Sequence, residues 1–172
     1  MAESSMETLT LDQFNKCISD IVQISDLIWD GWILKSKEDT DNGKYLMKKS
    51  SITIPSTDSS SVTVTYEYHI AFSLSYSVPI LCFNVWRSDG TLLSMEDYWN
   101  LNSNFKNENM YNSLTQLDHP VLCRPFLTLH PCKTQEIIGP FLNTSKNPVI
   151  SWLSVVGGFV HLKLLEEYFK HC

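Results

Sequence analysis

The stretch that decides the fold is residues 62–86, VTVTYEYHIAFSLSYSVPILCFNVW. From Val62 to Tyr76 every second residue is apolar or aromatic, and the residues between them are mostly polar. This period of two predicts a long antiparallel strand with one buried and one solvated face. The apolar run 78–86 precedes the turn residues RSDG, so we expect it to be the hairpin partner of that strand. Residues 45–55 are expected to form a shorter strand before it, closed by a proline.

A helix is expected before these strands. Thr10 and Gln13 have the spacing of a capping box. Apolar residues then recur at helical intervals from Phe14 to Trp32, so one face of the helix should contact the core. The sequence Asp-Asn-Gly at 41–43 predicts a turn beyond the helix.

Further helices are expected after the strands. Ser94 precedes acidic residues and can cap a short helix. Thr134 can cap a helix over residues 135–142, and Asn147 before a proline predicts the start of a last helix. The glycine pair 157–158 should bend or break that last helix on its way toward the C-terminal apolar residues.

Three prolines between residues 118 and 131 forbid a helix there. We expect extended chain in this segment, with residues 125–129 as an edge strand. The order of helix, strands and helices indicates an α+β fold with one antiparallel sheet. The length suits a single domain over residues 1–172, of which residues 1–9 are expected to be flexible.

Composition narrows the classes of function. The formal net charge is -6 and no polybasic run occurs, so a nucleic-acid partner is not expected. No apolar run reaches the ~18 residues of a spanning helix, and the polar N-terminus does not resemble a signal peptide. The five cysteines have no repeated spacing, which indicates reduced thiols and a soluble, cytoplasmic protein.

The segment LTLHPCKTQEIIGP, residues 127–140, carries the strongest chemical signal. Cys132 stands there between a His-Pro pair and Lys133, and three interpretations are open: a buried apolar filler, a metal ligand and a nucleophile. A helix capped by Thr134 would place Cys132 just before a helix N-terminus, where the dipole and Lys133 favour the reactive thiolate. His130 could donate a hydrogen bond nearby.

Two alternatives for this segment are weaker. His119, Cys123, His130 and Cys132 are possible zinc ligands, but no C-x-x-C pair occurs and the prolines hold the chain extended, so no metal is expected. A cysteine hydrolase would need a base beside Cys132. The sequence contains candidate histidines but does not show that any of them lies near this cysteine. These candidates are His69, expected on the solvated face of its strand, His119 and His161.

Four stretches resemble the autophagy E2-like conjugating enzymes in their order and spacing. They are YEYHIAFSLSYSVPILCFNVW at 66–86, DGTLLSMEDYW at 89–99, DHPVLCRPFLTLHPCKTQEI at 118–137 and ISWLSVVG at 150–157. The His-Pro pair at 119–120 followed by His-Pro-Cys at 130–132 is the most specific part. The resemblance covers more than half of the chain.

This resemblance implies a variant of the ubiquitin-conjugating (E2) core and a transferase that needs no cofactor. An E1-like activating enzyme would load a ubiquitin-like modifier, autophagy-related protein twelve, onto Cys132 as a thioester. The modifier would then pass to a lysine of an acceptor, autophagy-related protein five. E2-like cores generally act as monomers, and this one is expected to do so.

The resemblance does not identify the residue that orients the acceptor lysine or binds the oxyanion. Ordinary ubiquitin-conjugating enzymes carry an Asn after a similar His-Pro pair, whereas here Cys132 follows directly. His130 and then Tyr76 are the candidates to orient the lysine or bind the oxyanion. A non-catalytic E2-fold adaptor and an unrelated cysteine hydrolase are the alternative functions.

Overall fold

The computed structural model describes residues 8–55, 59–102 and 114–172. Its described strands form a six-stranded antiparallel sheet in the order β1-β2-β3-β4-β6-β5. The strands are β1 (Ile33–Ser36), β2 (Lys44–Pro55), β3 (Ser61–Ser73), β4 (Val78–Arg87), β5 (Leu114–Asp118) and β6 (Pro125–Leu129). The helices are α1 (Leu11–Ile28), α2 (Met95–Leu101), α3 (Pro131–Ile138) and α4 (Pro148–Val156), with short 3-10 helices at Gly139–Phe141, Gly157–Val160 and Glu166–His171. The predicted α+β fold is confirmed.

The N-terminal end of α1 is fixed by the predicted capping box. The Thr10 hydroxyl accepts the N–H of Gln13 at 3.1 Å, and the Gln13 side chain accepts the N–H of Thr10 at 2.9 Å. Leu9 is buried in the main core, and the expected flexibility of residues 1–9 stays a prediction. Residues 1–7 lie outside the described residues.

The C-terminal end of α1 differs from the prediction. The helix was expected to reach Trp32 but ends at Ile28, because Trp29 adopts a left-handed conformation with φ 59° and Gly31 has φ 91°. The chain then turns into β1. This strand was not predicted, because the helical spacing of the apolar residues continues up to Trp32. Trp32 is buried all the same, so its apolar side chain reaches the core from a turn instead of from a helix face.

Strand β3 is buried on both faces along its second half. Its predicted inner face is confirmed, since the alternate residues from Val64 to Phe72 lie in the main core. Leu74 and Tyr76 continue the alternation in sequence but are exposed, because the strand ends at Ser73. The outer face of the second half is covered by the connection between β5 and β6, which packs Val121 against a small apolar cluster on that face.

His69 lies on this covered face, so the prediction of a solvated side chain is wrong: it is 1 % exposed. His119 accepts the N–H groups of Val121 and Leu122 on its Nδ1, at 3.0 and 3.1 Å. Its Nε2 therefore carries the proton and donates to His69 Nδ1 at 3.1 Å. His69 in turn donates from Nε2 to the Glu67 carboxylate at 2.8 Å, which lowers the pKa of Glu67.

Strand β6 lies inside the sheet, so its prediction as an edge strand is wrong. It pairs with β4 on one side and along its whole length with β5 on the other, which leaves β5 at the edge. Pro125 is compatible with this position because it is the first residue of the strand, where a missing N–H is tolerated.

The C-terminal half is tied to α1. Asn147 caps α4 as predicted, with its side-chain oxygen accepting the N–H of Ile150 at 3.2 Å, and its amide donates to the Cys17 carbonyl at 3.0 Å. The helix ends at Val156 and continues as a 3-10 turn at the predicted glycine pair. Over residues 8–55, 59–102 and 114–172, no helix combines the length and apolar character needed to cross a bilayer.

The His119 network predicts an acid-dependent loss of stability. Burial, and secondly the neighbouring His69, lower the pKa of His119 to about 3. The unfolded chain takes up a proton near its ordinary pKa of roughly 6.5 whereas the folded chain does not, so stability is complete above that pH and is lost as the pH falls. We expect the free energy of unfolding to drop by about 2 kcal/mol between pH 7.5 and pH 5 from this group alone.

Urea unfolding at both pH values measures this change. His119→Gln, which does not titrate, is the control and should show a smaller difference between the two pH values. An equal difference in the variant and the original chain would contradict the assignment.

Candidate active site

Helix α3 presents Cys132 on the surface. The helix begins at Pro131, so Cys132 is its second residue and its side chain is exposed, while Pro131 and Thr134 are buried. The prediction that Thr134 caps this helix and that Cys132 precedes it is wrong by one turn. Proline is favoured as the first residue of a helix, because the missing N–H would have no partner there, and this allows the earlier start.

His130 is the residue that caps α3. Its ring Nδ1 accepts the backbone N–H of Cys132 at 3.3 Å, and its carbonyl accepts the N–H of Lys133 at 3.0 Å. An Nδ1 that accepts a hydrogen bond has its lone pair in use, so in the neutral ring the proton lies on Nε2. His130 is therefore assigned as a ring that holds the cysteine backbone with one nitrogen and offers a donor with the other.

Tyr76 reaches the same place from the turn between β3 and β4. Its ring centroid lies 6.2 Å from that of His130, with the two planes at 79°. The turn is held by the Ser73 hydroxyl, which accepts the N–H of Tyr76 at 3.3 Å. The structure thus brings together all three residues predicted for the site, although they come from segments more than fifty positions apart.

The other predicted candidates have different partners. His69 and His119 form the network with Glu67 described above, and His161 faces the side-chain oxygen of Asn102 at 2.7 Å. Cys123 is exposed in the turn before β6, with its thiol 3.8 Å from the Val121 carbonyl. Among the described residues no group of three histidine, cysteine or acidic side chains is arranged to hold a metal ion.

The surroundings of Cys132 carry positive charge. The thiol lies in the first turn of α3, where the helix dipole is positive, and Lys133 adds a positive charge on the next residue. Lys133 is partly compensated by Glu136, whose carboxylate lies 3.4 Å from its ammonium group. An exposed thiol in such a position can act as a nucleophile toward an acyl group.

Comparison with known proteins identifies the family of the chain. The model of the family described as "Autophagocytosis associated protein, active-site domain" matches residues 5–167. The chain belongs to this family. It is 39% identical to the ubiquitin-like-conjugating enzyme ATG10 of Homo sapiens over 124 residues, which are 66% of this chain and 56% of that protein.

Two further relatives match a similar share of the chain. The Arabidopsis thaliana protein of the same name is 33% identical over 58% of this chain and 50% of its own length. The protein of that name from Dictyostelium discoideum is 31% identical over 63% of this chain and 55% of its own length. The chain thus spans about half the length of the curated relatives it matches.

A solved structure supports the fold. The crystal structure of the autophagic E2 Atg10 matches with a TM-score of 0.60 and covers 91% of this chain and 99% of that one, at 15% sequence identity. At that identity the likeness concerns the fold, and the predicted E2-like arrangement of N-terminal helix, antiparallel sheet and C-terminal helices is confirmed.

The exposure of the cysteines predicts a labelling pattern. Cys123, Cys132 and Cys172 are exposed, whereas Cys17 and Cys82 are buried, and burial raises the pKa of Cys82 to about 12. We expect a maleimide to label the three exposed thiols of the native protein quickly and the two buried ones only after unfolding. Peptide mass spectrometry locates the labels, and rapid native labelling of Cys82 would contradict the described burial.

Proposed function

We propose that this chain is an E2-like conjugating enzyme that carries a ubiquitin-like autophagy modifier as a thioester on Cys132 and transfers it to a lysine of an acceptor protein. The observation that supports this most directly is the exposed Cys132 thiol in the first turn of α3, flanked by His130 and Tyr76. Family membership and the names of the relatives point to the same class of reaction.

The first step is a thioester exchange. An E1-like activating enzyme presents the modifier as a thioester, and the Cys132 thiolate attacks its carbonyl carbon. The bond to the sulfur of the activating enzyme breaks and that sulfur leaves as a thiolate. No metal or cofactor is required, because the leaving thiolate is stable at neutral pH.

The second step is aminolysis of the new thioester. The neutral amine of the acceptor lysine attacks the carbonyl, and the oxygen becomes negatively charged. The nitrogen then releases a proton to solvent, the C–S bond breaks, and the Cys132 thiolate leaves as the amide forms. We assign the Nε2–H of His130 to donate to that oxygen, because its Nδ1 is already engaged with the cysteine backbone. Tyr76 is the second candidate, through its phenol or through the packing of its ring on His130.

From the resemblance carried by the sequence, we propose that the modifier is autophagy-related protein twelve and the acceptor is autophagy-related protein five. The five free cysteines fit a reducing compartment, so we place the reaction in the cytoplasm. We also propose that the chain acts as a monomer.

Loading reactions test the nucleophile. With the activating enzyme, the modifier and ATP, the original chain should form an adduct on non-reducing gels that a thiol reductant removes. Cys132→Ala should form none, and Cys132→Ser should form an adduct that persists in reductant, because the alkoxide of an oxyester is a poorer leaving group than a thiolate.

Cys123→Ala is the matched control, since it removes another exposed thiol from the preceding turn. It should load and discharge like the original chain. Loading that survives Cys132→Ala, or that is lost in Cys123→Ala, would overturn the assignment. An adaptor would bind its partners with no adduct at all, and a hydrolase would release the modifier without transferring it to lysine.

His130→Asn separates the two roles of His130. Asparagine is a good N-cap and can still accept the N–H of Cys132 on Oδ1. Its amide donor then takes the place of the ring carbon Cδ2 and lies one bond short of the Nε2–H donor. We expect near-normal loading and a discharge to lysine that is slower by about 10²-fold, the usual effect of removing one oxyanion donor. Single-turnover discharge in excess free lysine measures the rate.

His130→Ala is the companion variant. It removes both the cap and the donor, so it should discharge as slowly as His130→Asn and also melt at a lower temperature. A normal discharge rate for His130→Asn would limit His130 to holding the helix.

A further inference from the structure

Asn42 lies in the short connection between β1 and β2 and is 8 % exposed. Its side-chain amide donates to the backbone carbonyl of Phe72, near the end of β3, at 2.9 Å. This contact joins two segments that are thirty residues apart. A buried amide in a surface connection is uncommon, because its groups must find partners inside the protein, so the contact needs a structural reason.

The reason is that the backbone carbonyl of Phe72 has no hydrogen-bond partner in the ladder between β2 and β3. The ladder between β2 and β3 ends at the pair of Leu46 and Ile70, two positions before Phe72. Continuing the same register would set Lys44 opposite Phe72, but the two strands do not pair there. The Asn42 amide therefore supplies the hydrogen bond that a neighbouring strand would otherwise supply.

The same strand end positions the turn with Tyr76. Ser73 follows Phe72 and is buried, and its hydroxyl accepts the N–H of Tyr76. The Tyr76 ring then lies edge to face with the ring of His130, which holds the backbone of Cys132. Fixing the end of β3 thus fixes the direction from which Tyr76 reaches the site.

Backbone hydrogen bonds hold the connection between β1 and β2 in which Asn42 lies. The Gly43 N–H donates to the Thr40 carbonyl at 3.2 Å, and the Gly43 carbonyl accepts the N–H of Lys37 at 2.9 Å. A Cβ at position 43 would lie 2.2 Å from the Lys37 carbonyl oxygen, so only glycine permits this closure. The backbone before β2 therefore holds Asn42 at a set place beside Phe72.

We propose that Asn42 is a positioning residue for the discharge of the Cys132 thioester, acting through the β3–β4 turn on Tyr76. The inference rests on the proposed function. Asn42 touches neither the thiol nor His130; it holds the strand end from which Tyr76 approaches them. Removing its amide lets the turn move, so that Tyr76 no longer supports the reacting geometry.

The test is a double-mutant comparison of single-turnover discharge. The chain is first loaded on Cys132 and the activating enzyme is stopped, and the thioester is then followed over a range of free lysine concentrations. We expect Asn42→Ala and Tyr76→Ala each to lower the limiting rate several-fold, with little change in the lysine concentration at half-maximum. Because both act on one element, the double variant should be no slower than Tyr76→Ala.

Asn42→Asp is the second variant. It keeps the size of the side chain but replaces the donor with an oxygen, so it should slow discharge at least as much as Asn42→Ala. Asn143→Ala removes an exposed asparagine elsewhere on the surface and is the matched control, with an unchanged rate expected. All assays run well below the melting temperature of each variant, which is measured alongside.

The outcomes separate the two proposals. If the original chain forms no thioester, the proposed function itself fails. If it loads and discharges normally but Asn42→Ala retains the original rate, or if the double variant multiplies the two single effects, the positioning role of Asn42 is overturned. A slow double variant equal to Tyr76→Ala supports it, because a general loss of stability would not depend on Tyr76.

Discussion

The fold depends on the burial of strand β3 between its two neighbouring strands and under the chain segments that cover both of its faces. It pairs with β2 and β4 along most of its length, and its second half is buried on both faces. The inner face contributes Tyr66 and Tyr68, whose rings stack at 5.1 Å, and the Tyr68 hydroxyl donates to the Val160 carbonyl at 2.6 Å. Each such buried aromatic stabilises the fold by roughly 1.5–3 kcal/mol, so the strand is a rigid base for the turn at its end. The turn carries Tyr76, which contacts His130 in the candidate site.

Features set by neighbouring residues could be predicted from the sequence. The caps at Thr10, Ser94 and Asn147 depend on contacts within three positions, and all three are present. The alternation in β3 identified the inner face of the sheet for the same reason. Cys132 and His130 could be chosen as candidates because a His-Pro pair, a cysteine and a lysine stand next to one another in the chain.

Features set by distant segments could not be predicted in this way. Alternation shows on which side of a strand His69 lies, but the cover over that side comes from residues 119–122, fifty positions later. The interior place of β6 depends on β5, whose five residues carry no strong strand pattern. The start of α3 was misplaced because threonine is the commoner cap, whereas a histidine ring can serve when a proline follows it. The role of Asn42 depends on where the ladder between β2 and β3 stops, thirty positions later in the chain.

The His-Pro-Cys sequence has a consequence for how a negatively charged oxygen could be stabilised beside the thiol. Pro131 has no N–H, the N–H of Cys132 is held by the His130 ring, and the N–H of Lys133 is held by the His130 carbonyl. The first backbone donors of α3 are thus engaged in building the helix start and do not point freely at a substrate. Under the proposed function the oxyanion must then rely on side-chain donors. Under that proposal, His130 with its second nitrogen, next to Tyr76, would take the place of the asparagine found in ordinary ubiquitin-conjugating enzymes. The cap and the proposed donor are two nitrogens of one ring, so under the proposed function one side chain would set both the geometry of the helix start and the chemistry of transfer.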